Sequence, residues 1–491
     1  MFARLPLTAL GIGALFGAAT LAGPALAQAA AEASDGWEVI ATIPGSDGTD
    51  IEFTSRELTT WKNPDGKLVE LAVPATRHFA VVGNQREGAN IVDITTPDAP
   101  YVVSQIPCSL SQGDPQISPD GMIAAIGGQG SGDCSYRDAS GEEMAYQAGS
   151  ALIDLSNIYE PVVVGNAVNS SGGSHNNTIH PSGDYLYISS SSIGQTTNIP
   201  IFDISDPTNP IEVARYTDLG SSPHDVRFSA DGTRAYLAAV TDIKILDTSD
   251  PTDPSLIAIF KSPGEEIVHD TLLSPDGNFL FVGDEAGGGA PYACPGGAIH
   301  VWDITEETVP VYLGQTYAGV GPVTNRPVDA PAAGTVTSCT SHVMELNPNG
   351  TSLTIGWYGG GTRVFDFSDL TQGPTPVFGY GENGVGLVET GHIVPDGAST
   401  WSAKQYAPLA GYIFADDLNL GFYVVKTPDA IELDIAAPQP LSAGGSSAQA
   451  SEPELTPALA VPAATNSLPA TGGGLALVGL LALMAGAVRR Q

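Results

Sequence analysis

The stretch Asp225–Phe260, DVRFSADGTRAYLAAVTDIKILDTSDPTDPSLIAIF, decides the fold of this chain. It divides into four short runs, DVRFSADG, RAYLAAV, DIKILDTSD and PTDPSLIAIF, which are separated by turn-forming residues. Apolar residues alternate or run continuously within them, as they do in strands that are buried between neighbouring sheets. The stretch therefore predicts one unit of four β-strands.

The third run of this unit recurs along the chain as two apolar residues, an aspartate and a further apolar residue. The recurring aspartates are Asp93, Asp154, Asp203, Asp247, Asp303 and Asp366. They are separated by 44 to 63 residues, and a degenerate seventh copy has Val425 in place of the aspartate. Repeats of this length, each with four strands, predict an all-β fold, a seven-bladed β-propeller.

The last repeat lacks a fourth strand of its own. The stretch WEVIATIPG, Trp37–Gly45, is similar to the outer strands of the other repeats and precedes the first of them. We expect it to pair with the last blade and to close the ring, because an open ring would leave two sheet edges unpaired. The propeller domain is accordingly predicted to span residues 37–430.

The repeats resemble the LVIVD-repeat family of secreted β-propellers. The resemblance is carried by the Asp-centred strands, by SADGTRAYLAAVTDIKILDTSDPTDP, and by the later GWYGGGTRVFDFSDL and TWSAKQYAPLAGYIFADDLNLGFYVV. It covers the chain from about Trp37 to Pro428, with Val425 as a departure. The resemblance implies a propeller at the cell surface or outside the cell, and it implies no particular reaction.

Both ends of the chain have the sequence features of targeting signals. Residues 1–27 combine Arg4, an apolar run and the small-residue sequence ALAQA, which predicts a secretory signal peptide. Residues 431–467 are rich in Pro, Ala and Ser and show no apolar period, which predicts a disordered linker. The mature protein is therefore expected to be secreted and held away from the cell envelope.

Residues 468–491 contain LPATG, an apolar run and a basic end, in that order. LPATG resembles the LPxTG sorting signal of Gram-positive surface proteins. The resemblance implies that a sortase cleaves between Thr471 and Gly472 and joins the chain to cell-wall peptidoglycan. The alternative is a plain apolar C-terminal anchor, a transmembrane segment, which would hold the chain at the outer membrane surface.

The charge excludes some partners. The chain has 18 Lys and Arg against 54 Asp and Glu, a formal net charge of −36. Such an anion repels nucleic acid and anionic lipid, so we expect no nucleic acid partner. We expect a monomer with an extracellular ligand or partner that the sequence does not identify.

The chain has four cysteines, Cys108, Cys134, Cys294 and Cys339. A secreted protein lies in an oxidising compartment, so two disulfides are expected, and three pairings are possible. We expect Cys108–Cys134 and Cys294–Cys339, because each pair is local in the repeat scheme. A four-thiolate metal site is the alternative, but the CxxC spacing typical of such sites is missing.

A histidine recurs at one position of the repeat. Eight residues before the turn glycines Gly183, Gly232, Gly277 and Gly350 come His175, His224, His269 and His342. These are half of the 8 histidines in the chain, and they belong to four successive blades. In the second repeat the same step leads to Gly113, with Asp114 next to it.

Two interpretations of these histidines compete. In the structural one, each imidazole bridges backbone groups of adjacent blades, a contact copied with the repeat. In the functional one, the imidazoles converge at the mouth of the channel and bind copper or zinc as a cofactor. Asp225 and Asp270 would then orient the ligands, and Asp114 in the second blade is counted with them among the binding residues.

Two function classes follow. The first is a cell-surface binding or adhesion module that presents an extracellular ligand-binding face. The second is a metal-dependent extracellular enzyme, an oxidoreductase or hydrolase, with its site in the channel. The acidic pairs Asp284-Glu285 and Asp416-Asp417 occupy similar second-strand positions and are interpreted as solvated loop residues, with acid–base chemistry or cation binding as the alternative. The sequence leaves open whether the chain is an enzyme.

Overall fold

The computed structural model describes residues 30–431, except 107, 109, 111, 131, 139, 191–197, 218–219, 291, 293–295, 319–337 and 371–384. All described residues belong to one compact unit, 1–441, while the second unit comprises 442–491. The predicted signal peptide, the linker beyond Ile431, and the sorting signal with Thr471 and Gly472 lie outside the described residues. Within the described part, no helix is long and apolar enough to cross a membrane.

The described residues form seven blades of antiparallel strands, which confirms the predicted seven-bladed β-propeller. Blade one consists of β3 Gly48–Lys62, β4 Leu68–Asn84, β5 Gly88–Asp93 and β6 Tyr101–Ile106. Blade two consists of β7 Gln112–Ile117, β8 Ile123–Gly128, β11 Gly149–Asp154 and β12 Val162–Val168. Blade three consists of β13 Asn176–Ile179, β14 Tyr185–Ser189, β15 Ile199–Asp203 and β16 Ile211–Tyr216.

Blades four to six follow the same order from the inner to the outer strand. Blade four has β17 Asp225–Phe228, β18 Arg234–Ala238, β19 Ile243–Asp247 and β20 Ser255–Phe260. Blade five has β21 Val268–Leu273, β22 Phe279–Asp284, β23 Ile299–Asp303 and β24 Val311–Thr316. Blade six has β25 Met344–Leu346, β26 Ser352–Gly356, β27 Thr362–Asp366 and β28 Val388–Pro395.

Blade seven closes the ring with an N-terminal strand. It consists of β29 Thr400–Gln405, β30 Tyr412–Asp417, β31 Gly421–Lys426 and β2 Glu38–Pro44. A short hairpin, β9 Ser135–Arg137 with β10 Glu143–Ala145, and a 3-10 helix, Ala407–Leu409, complete the described elements. β2 pairs with β31, with Val39 opposite Val425, so the predicted closure is confirmed.

A further N-terminal strand was missed by the sequence analysis. β1, Ala30–Ala33, adds a fifth strand to the outer edge of blade six, where Ala33 pairs with Ile393 of β28. Its sequence, AAEA, has neither the apolar alternation nor the β-branched residues that indicate a strand. Its pairing therefore depends on backbone hydrogen bonds to an available edge, which the local sequence does not encode.

The core lies between the blades, and the third strands contribute apolar residues to both of their faces. In β19, Ile243 and Ile245 pack with residues of blade five, including Leu280. Leu246 points to the opposite face and packs against blade three, for example against Ile201. Both faces of the sheet are buried, so apolar residues occupy both faces of the strand, and the buried lysine between the two isoleucines is paired with an aspartate. Each of these side chains contributes about 1.5–3 kcal/mol on burial.

The recurring aspartate ends the third strand and shapes the turn that follows. The Asp247 carboxylate accepts a hydrogen bond of 2.9 Å from the Ser249 backbone N–H, and Asp203 accepts one of 3.0 Å from Ser205. These are turn contacts of the type that Asp favours. Val425, which replaces the aspartate in the last copy, lies in β31 and pairs with Val39.

The cysteines agree with the predicted pairing as far as they are described. Cys108 and Cys134 form a disulfide. Cys339 is also disulfide-bonded, and Cys294, its predicted partner, lies outside the described residues. The alternative of a four-thiolate metal site is wrong, because Cys108 and Cys134 are bonded to each other.

Candidate functional site

The four recurring histidines lie side by side at one end of the channel, and we call them the imidazole row. His175 and His224 directly precede β13 and β17, His269 is the second residue of β21, and His342 comes two residues before β25. Neighbouring ring centroids are 4.5, 4.1 and 4.0 Å apart, in the order of the chain. The inner strands of four successive blades converge on the axis, which brings together residues up to 167 positions apart in sequence.

The first half of the row is linked to amide side chains. The Nε2 atoms of His175 and His224 are 3.0 Å apart. The side-chain amide nitrogen of Gln112 lies 3.1 Å from Nδ1 of His175. The side-chain amide nitrogen of Gln129 also contacts Nδ1 of His175. Nδ1 of His224 is buried and has no hydrogen-bond partner among the described residues.

His269, in the middle of the row, also lacks a partner for one nitrogen. Its Nδ1 is buried without a hydrogen bond to any described residue. An unpaired buried polar group costs about 1–3 kcal/mol, so native proteins rarely retain two of them side by side. The unpaired nitrogens of His224 and His269 are compatible with a bonding partner from outside the chain.

His342, at the end of the row, is oriented by the next blade. Its Nδ1 lies 2.9 Å from the backbone carbonyl oxygen of Trp401, to which it donates a hydrogen bond. This tautomer leaves a lone pair on Nε2, which lies 3.8 Å from Oε1 of Glu285. The contact with Trp401 joins blades six and seven, as the structural interpretation of the recurring histidine requires, and a carbonyl acceptor also typically orients a metal-binding histidine.

Glu285 is the residue that the sequence analysis misjudged. It follows β22 directly and is only 7% exposed, and Asp284, Asp416 and Asp417 are buried as well. Interpretation of these acids as solvated loop residues is therefore wrong. Oε1 of Glu285 accepts a hydrogen bond of 2.7 Å from the Tyr358 hydroxyl, and Oε2 lies 3.8 Å from Nε2 of His269. The position of Glu285 directly after the second strand of the blade that carries His269 is the sequence feature that points to a place near this histidine.

Three of these side chains can reach one metal ion. His224, His269 and Glu285 each offer one ligand atom, and these atoms lie within 4.8 Å of one another. Metal–ligand bonds of about 2.0–2.2 Å place neighbouring ligands of a tetrahedral ion about 3.4 Å apart, so only small side-chain rotations are needed. Imidazole and carboxylate donors together suit zinc or copper.

Electrostatics favours the uncharged form of the imidazoles. Burial lowers the pKa of His224 to about 4 and that of His342 to about 3. Burial, and then the neighbouring imidazoles, lower the pKa of His175 and His269 well below the usual value. Burial also raises the pKa of Glu285 to about 7. At neutral pH the four rings therefore keep the lone pairs that a metal ion needs.

The predicted orienting acids contact a cation instead of the histidines. Asp270 lies 3.2 Å and Asp225 lies 3.6 Å from Nε of Arg227, and Asp270 also accepts a hydrogen bond of 2.8 Å from the Met344 backbone. No hydrogen bond joins either carboxylate to an imidazole among the described residues. Asp114 is partly buried, and burial, with Asp50 and Asp225 nearby, raises its pKa well above the usual value.

A cavity of about 540 Å³ opens above the row. Its lining includes His175, His224, His269, His342, Glu285 and Tyr358. Amide side chains, among them Gln85 and Asn419, and the ring of Trp401 also line it. The volume lies within the range of small-molecule sites, about 300–1,000 Å³.

The backbone is strained around this cavity. Four non-glycine residues in the described part of the chain have φ in the left-handed region, namely Asp47 (62°), Gln112 (86°), Val240 (57°) and Tyr358 (40°). All four line the cavity. Such conformations cost about 1–3 kcal/mol each, most for a β-branched residue such as Val240, and they concentrate at functional sites. The strain supports a functional role for the mouth of the channel.

The family comparison supports the repeat assignment. The LVIVD repeat model matches residues 175–218 and 227–262. These segments cover β13–β16 and most of blade four, and the first begins at His175. The chain therefore contains LVIVD repeats. No curated protein matches the chain.

The solved structures that align with this chain have low sequence identity to it. The β-propeller domain of Cps50 (Swd1) from Myceliophteria thermophila is 12% identical, with a TM-score of 0.48, over 79% of this chain and 98% of that one. A functionally unknown protein from Desulfotomaculum acetoxidans is 16% identical, with a TM-score of 0.39, over 72% and 90%. The periplasmic gluconolactonase PpgL from Pseudomonas aeruginosa is 14% identical, with a TM-score of 0.42, over 72% and 88%.

Proposed function

We propose that this chain is an extracellular β-propeller that binds one transition-metal ion, zinc or copper, at the mouth of its channel. The observation that carries the proposal is the set of donor atoms from His224, His269 and Glu285, all within 4.8 Å of one another. The donors are buried, and the imidazoles are neutral at physiological pH, which is the form that binds metal.

A histidine elsewhere in the propeller supports a ligand role for the row. His180 bridges blades three and four, with Nε2 3.0 Å from the Gly232 carbonyl oxygen and Nδ1 2.9 Å from the Ser182 hydroxyl. Both of its nitrogens are engaged, as the structural interpretation requires. Nδ1 of His269 is buried without a partner among the described residues, so bridging of blades does not account for that nitrogen, whereas the backbone of His269 in the next blade raises the pKa of His224 as a hydrogen-bond partner does.

Metal counting tests the proposal directly. The full-length chain is stripped with a chelator, loaded with Zn(II) or Cu(II), desalted and analysed for metal. We expect about one equivalent per chain. The double variant His224→Ala/His269→Ala should lose it, while the control His180→Ala, which removes a buried histidine outside the row, should keep it. Retention of less than about a tenth of an equivalent by the native chain would contradict the proposal.

We also propose that the chain works outside the cell, anchored to the wall or to the outer membrane surface. The proposal is supported by the order of segments in the sequence, with an apolar leader at 1–27 and LPATG at 468–472 before an apolar run and a basic end. Mass spectrometry of the cell-associated chain should find the mature N-terminus after Ala27 and a C-terminus at Thr471. A chain that keeps residues 472–491 in the cell envelope would favour the plain membrane anchor.

The adhesion role stays a prediction that is compatible with the metal site. An anchored propeller that holds a metal ion in an open cavity is a binding module in either case. Catalysis would require in addition that a ligand reach the ion and be activated by it.

A further inference from the structure

We propose that the metal site is of the open type and takes an uncharged small molecule, which binds the ion through a nitrogen or oxygen atom. This inference rests on the proposed metal-binding function. Three protein ligands leave at least one coordination position of zinc or copper free, as in catalytic sites, whereas structural sites are closed by four protein ligands. The free position has to face a space that a ligand can enter.

The neighbouring histidine does not close the site. His342 lies outside the set of donors within 4.8 Å of one another. Its ring is held by the Trp401 carbonyl and packs against the rings of Tyr358 and Trp401, at centroid distances of 4.7 and 4.2 Å. These contacts keep His342 in the wall of the cavity beside the ion.

The cavity gives a ligand direct access to the donor set. His224, His269 and Glu285 all line the same space of about 540 Å³. The space is large enough for a small organic molecule, and it is only partly enclosed by the rim residues Leu418 and Asn419. A ligand that enters from solvent therefore meets the ion without an intervening protein layer.

The wall adds no positive charge to that of the metal ion itself, so it gives an anion no side chain to pair with. The described lining contains two carboxylates, from Asp47 and Glu285, and no lysine or arginine. The chain as a whole carries a formal charge of −36, which adds a repulsive field for anions. The other polar groups of the wall include the amides of Gln85 and Gln112, which both donate and accept hydrogen bonds, whereas Asn419 lies at the rim.

The wall also offers an aromatic surface. The ring of Trp401 lines the cavity and packs on His342, so a planar or apolar face of a ligand can lie against it. The fitting ligand is thus a neutral molecule that combines hydrogen-bonding groups with an apolar or planar part. Phosphates and carboxylates would be held by the ion alone, without a cationic side chain in the described wall.

The test uses two small probes on the copper-loaded, full-length chain at pH 8, where imidazole is mostly neutral and azide is an anion. Each is titrated while the electron paramagnetic resonance and visible spectra of Cu(II) are recorded. We expect saturable spectral changes with imidazole. In the variant Asn419→Lys, which adds a cation to the rim, we expect azide affinity to rise about fivefold at low salt, with imidazole affinity unchanged. The control Asn419→Gln should leave both affinities as they are.

Two results would overturn the inference while the metal stays bound. Cu(II) spectra that do not respond to imidazole would show a closed site. An azide affinity that is the same in the native chain and in Asn419→Lys would show that wall charge does not select the ligand. Metal content is measured first, so a chain that binds no copper is recognised as a failure of the proposed function itself.

Discussion

The channel contains two polar clusters on the same inner strands, and they differ in how their hydrogen-bonding groups are satisfied. Deeper in the channel, Nζ of Lys404 lies 2.8 Å from Asp50 and 2.9 Å from Glu52, and Arg227 pairs with Asp270 and Glu345 at 3.2 Å. We call this set the ion-pair cluster. In it, both cations have carboxylate partners from other blades.

The imidazole row lies near the start of these strands, and its hydrogen-bonding atoms are not all paired within the described residues. Nδ1 of His224 and of His269 are buried without partners among the described residues, although Arg227 is only three residues after His224. The difference teaches that burial of polar groups in this channel serves two purposes. A cluster that is satisfied within the chain stabilises the ring of blades, and one that is left unsatisfied is arranged for a ligand.

The largest effect is expected from the ion-pair cluster. Lys404→Met removes the cation between Asp50 and Glu52 and leaves two carboxylates uncompensated in the interior. The free energy of unfolding should fall by about 3–5 kcal/mol in chemical denaturation. The exposed Lys426→Met is the matched control and should change stability by no more than about 0.5 kcal/mol. A Lys404→Met chain as stable as the native one would remove the distinction between the two clusters.

A pH experiment asks whether an unsatisfied buried group away from the cavity destabilises the chain. Glu265 is 4% exposed, one of its oxygens has no partner, and burial raises its pKa to about 8 from 4.5. The folded chain binds this proton more tightly than the unfolded chain, so native stability falls as pH rises from about 4.5 to about 8. Glu265→Gln mimics the protonated acid, so its stability should not show the part of the fall with pH that is due to Glu265.

The difference between Glu265→Gln and the native chain should grow with pH and reach about 2–4 kcal/mol near pH 8. It is measured as the free energy of unfolding in urea at several pH values. The exposed Glu87→Gln serves as the control. Parallel pH profiles for the native chain and Glu265→Gln would refute the prediction.

A third comparison separates bridging histidines from ligand histidines. His180→Ala removes a buried ring with its hydrogen bonds to Ser182 and, between blades, to the Gly232 carbonyl, which keeps the Thr248 hydroxyl, so the metal-free chain should lose about 2 kcal/mol of stability. His224→Ala removes a ring whose Nδ1 is already unpartnered, and it should cost the metal-free chain less. Differential scanning calorimetry of both variants without metal measures the two losses. If His224→Ala destabilises the metal-free chain more than His180→Ala, the row is structural.

The smallest effect concerns the hydroxyl that holds Glu285. Tyr358→Phe removes the hydrogen bond of 2.7 Å to Oε1 and frees the carboxylate to rotate. Zinc affinity should fall about tenfold, as expected for a group that orients a metal ligand, with little change in fold stability. The control Tyr423→Phe removes a buried hydroxyl that bonds to Thr362 and Thr400. Competition calorimetry should find the native zinc affinity in Tyr423→Phe, and the same value in Tyr358→Phe would exclude a role for this hydroxyl.

Much of the fold was predictable because each blade repeats one local code. The apolar strand that ends in Asp247, its Asx turn and the outer strand Ser255–Phe260 are all encoded within 36 residues. The closing strand Glu38–Pro44 was also predictable, because a ring with a missing strand needs one from the other terminus. β1 was not, because four small or polar residues pair only where an edge happens to be free.

The candidate site was predictable in part. The recurrence of His224 and His269 before a turn glycine placed them at equivalent positions of adjacent blades, and the structure brings their rings to 4.1 Å. Glu285 and Tyr358 have no such recurrence, and they meet only because blades five and six pack side by side. Asp270 was predicted to face an imidazole, but Arg227 of the neighbouring blade binds it instead.

The sequence by itself determined the blade, its number of copies and the position of the histidine in the four copies that carry it, because these depend on strand periodicity and turn chemistry over a few tens of residues. Only the tertiary structure decided which nitrogens find partners, which acids are buried and where the cavity opens. Those properties depend on contacts between blades, across 61 residues for His224 and Glu285, and desolvation by such contacts sets both hydrogen bonding and charge.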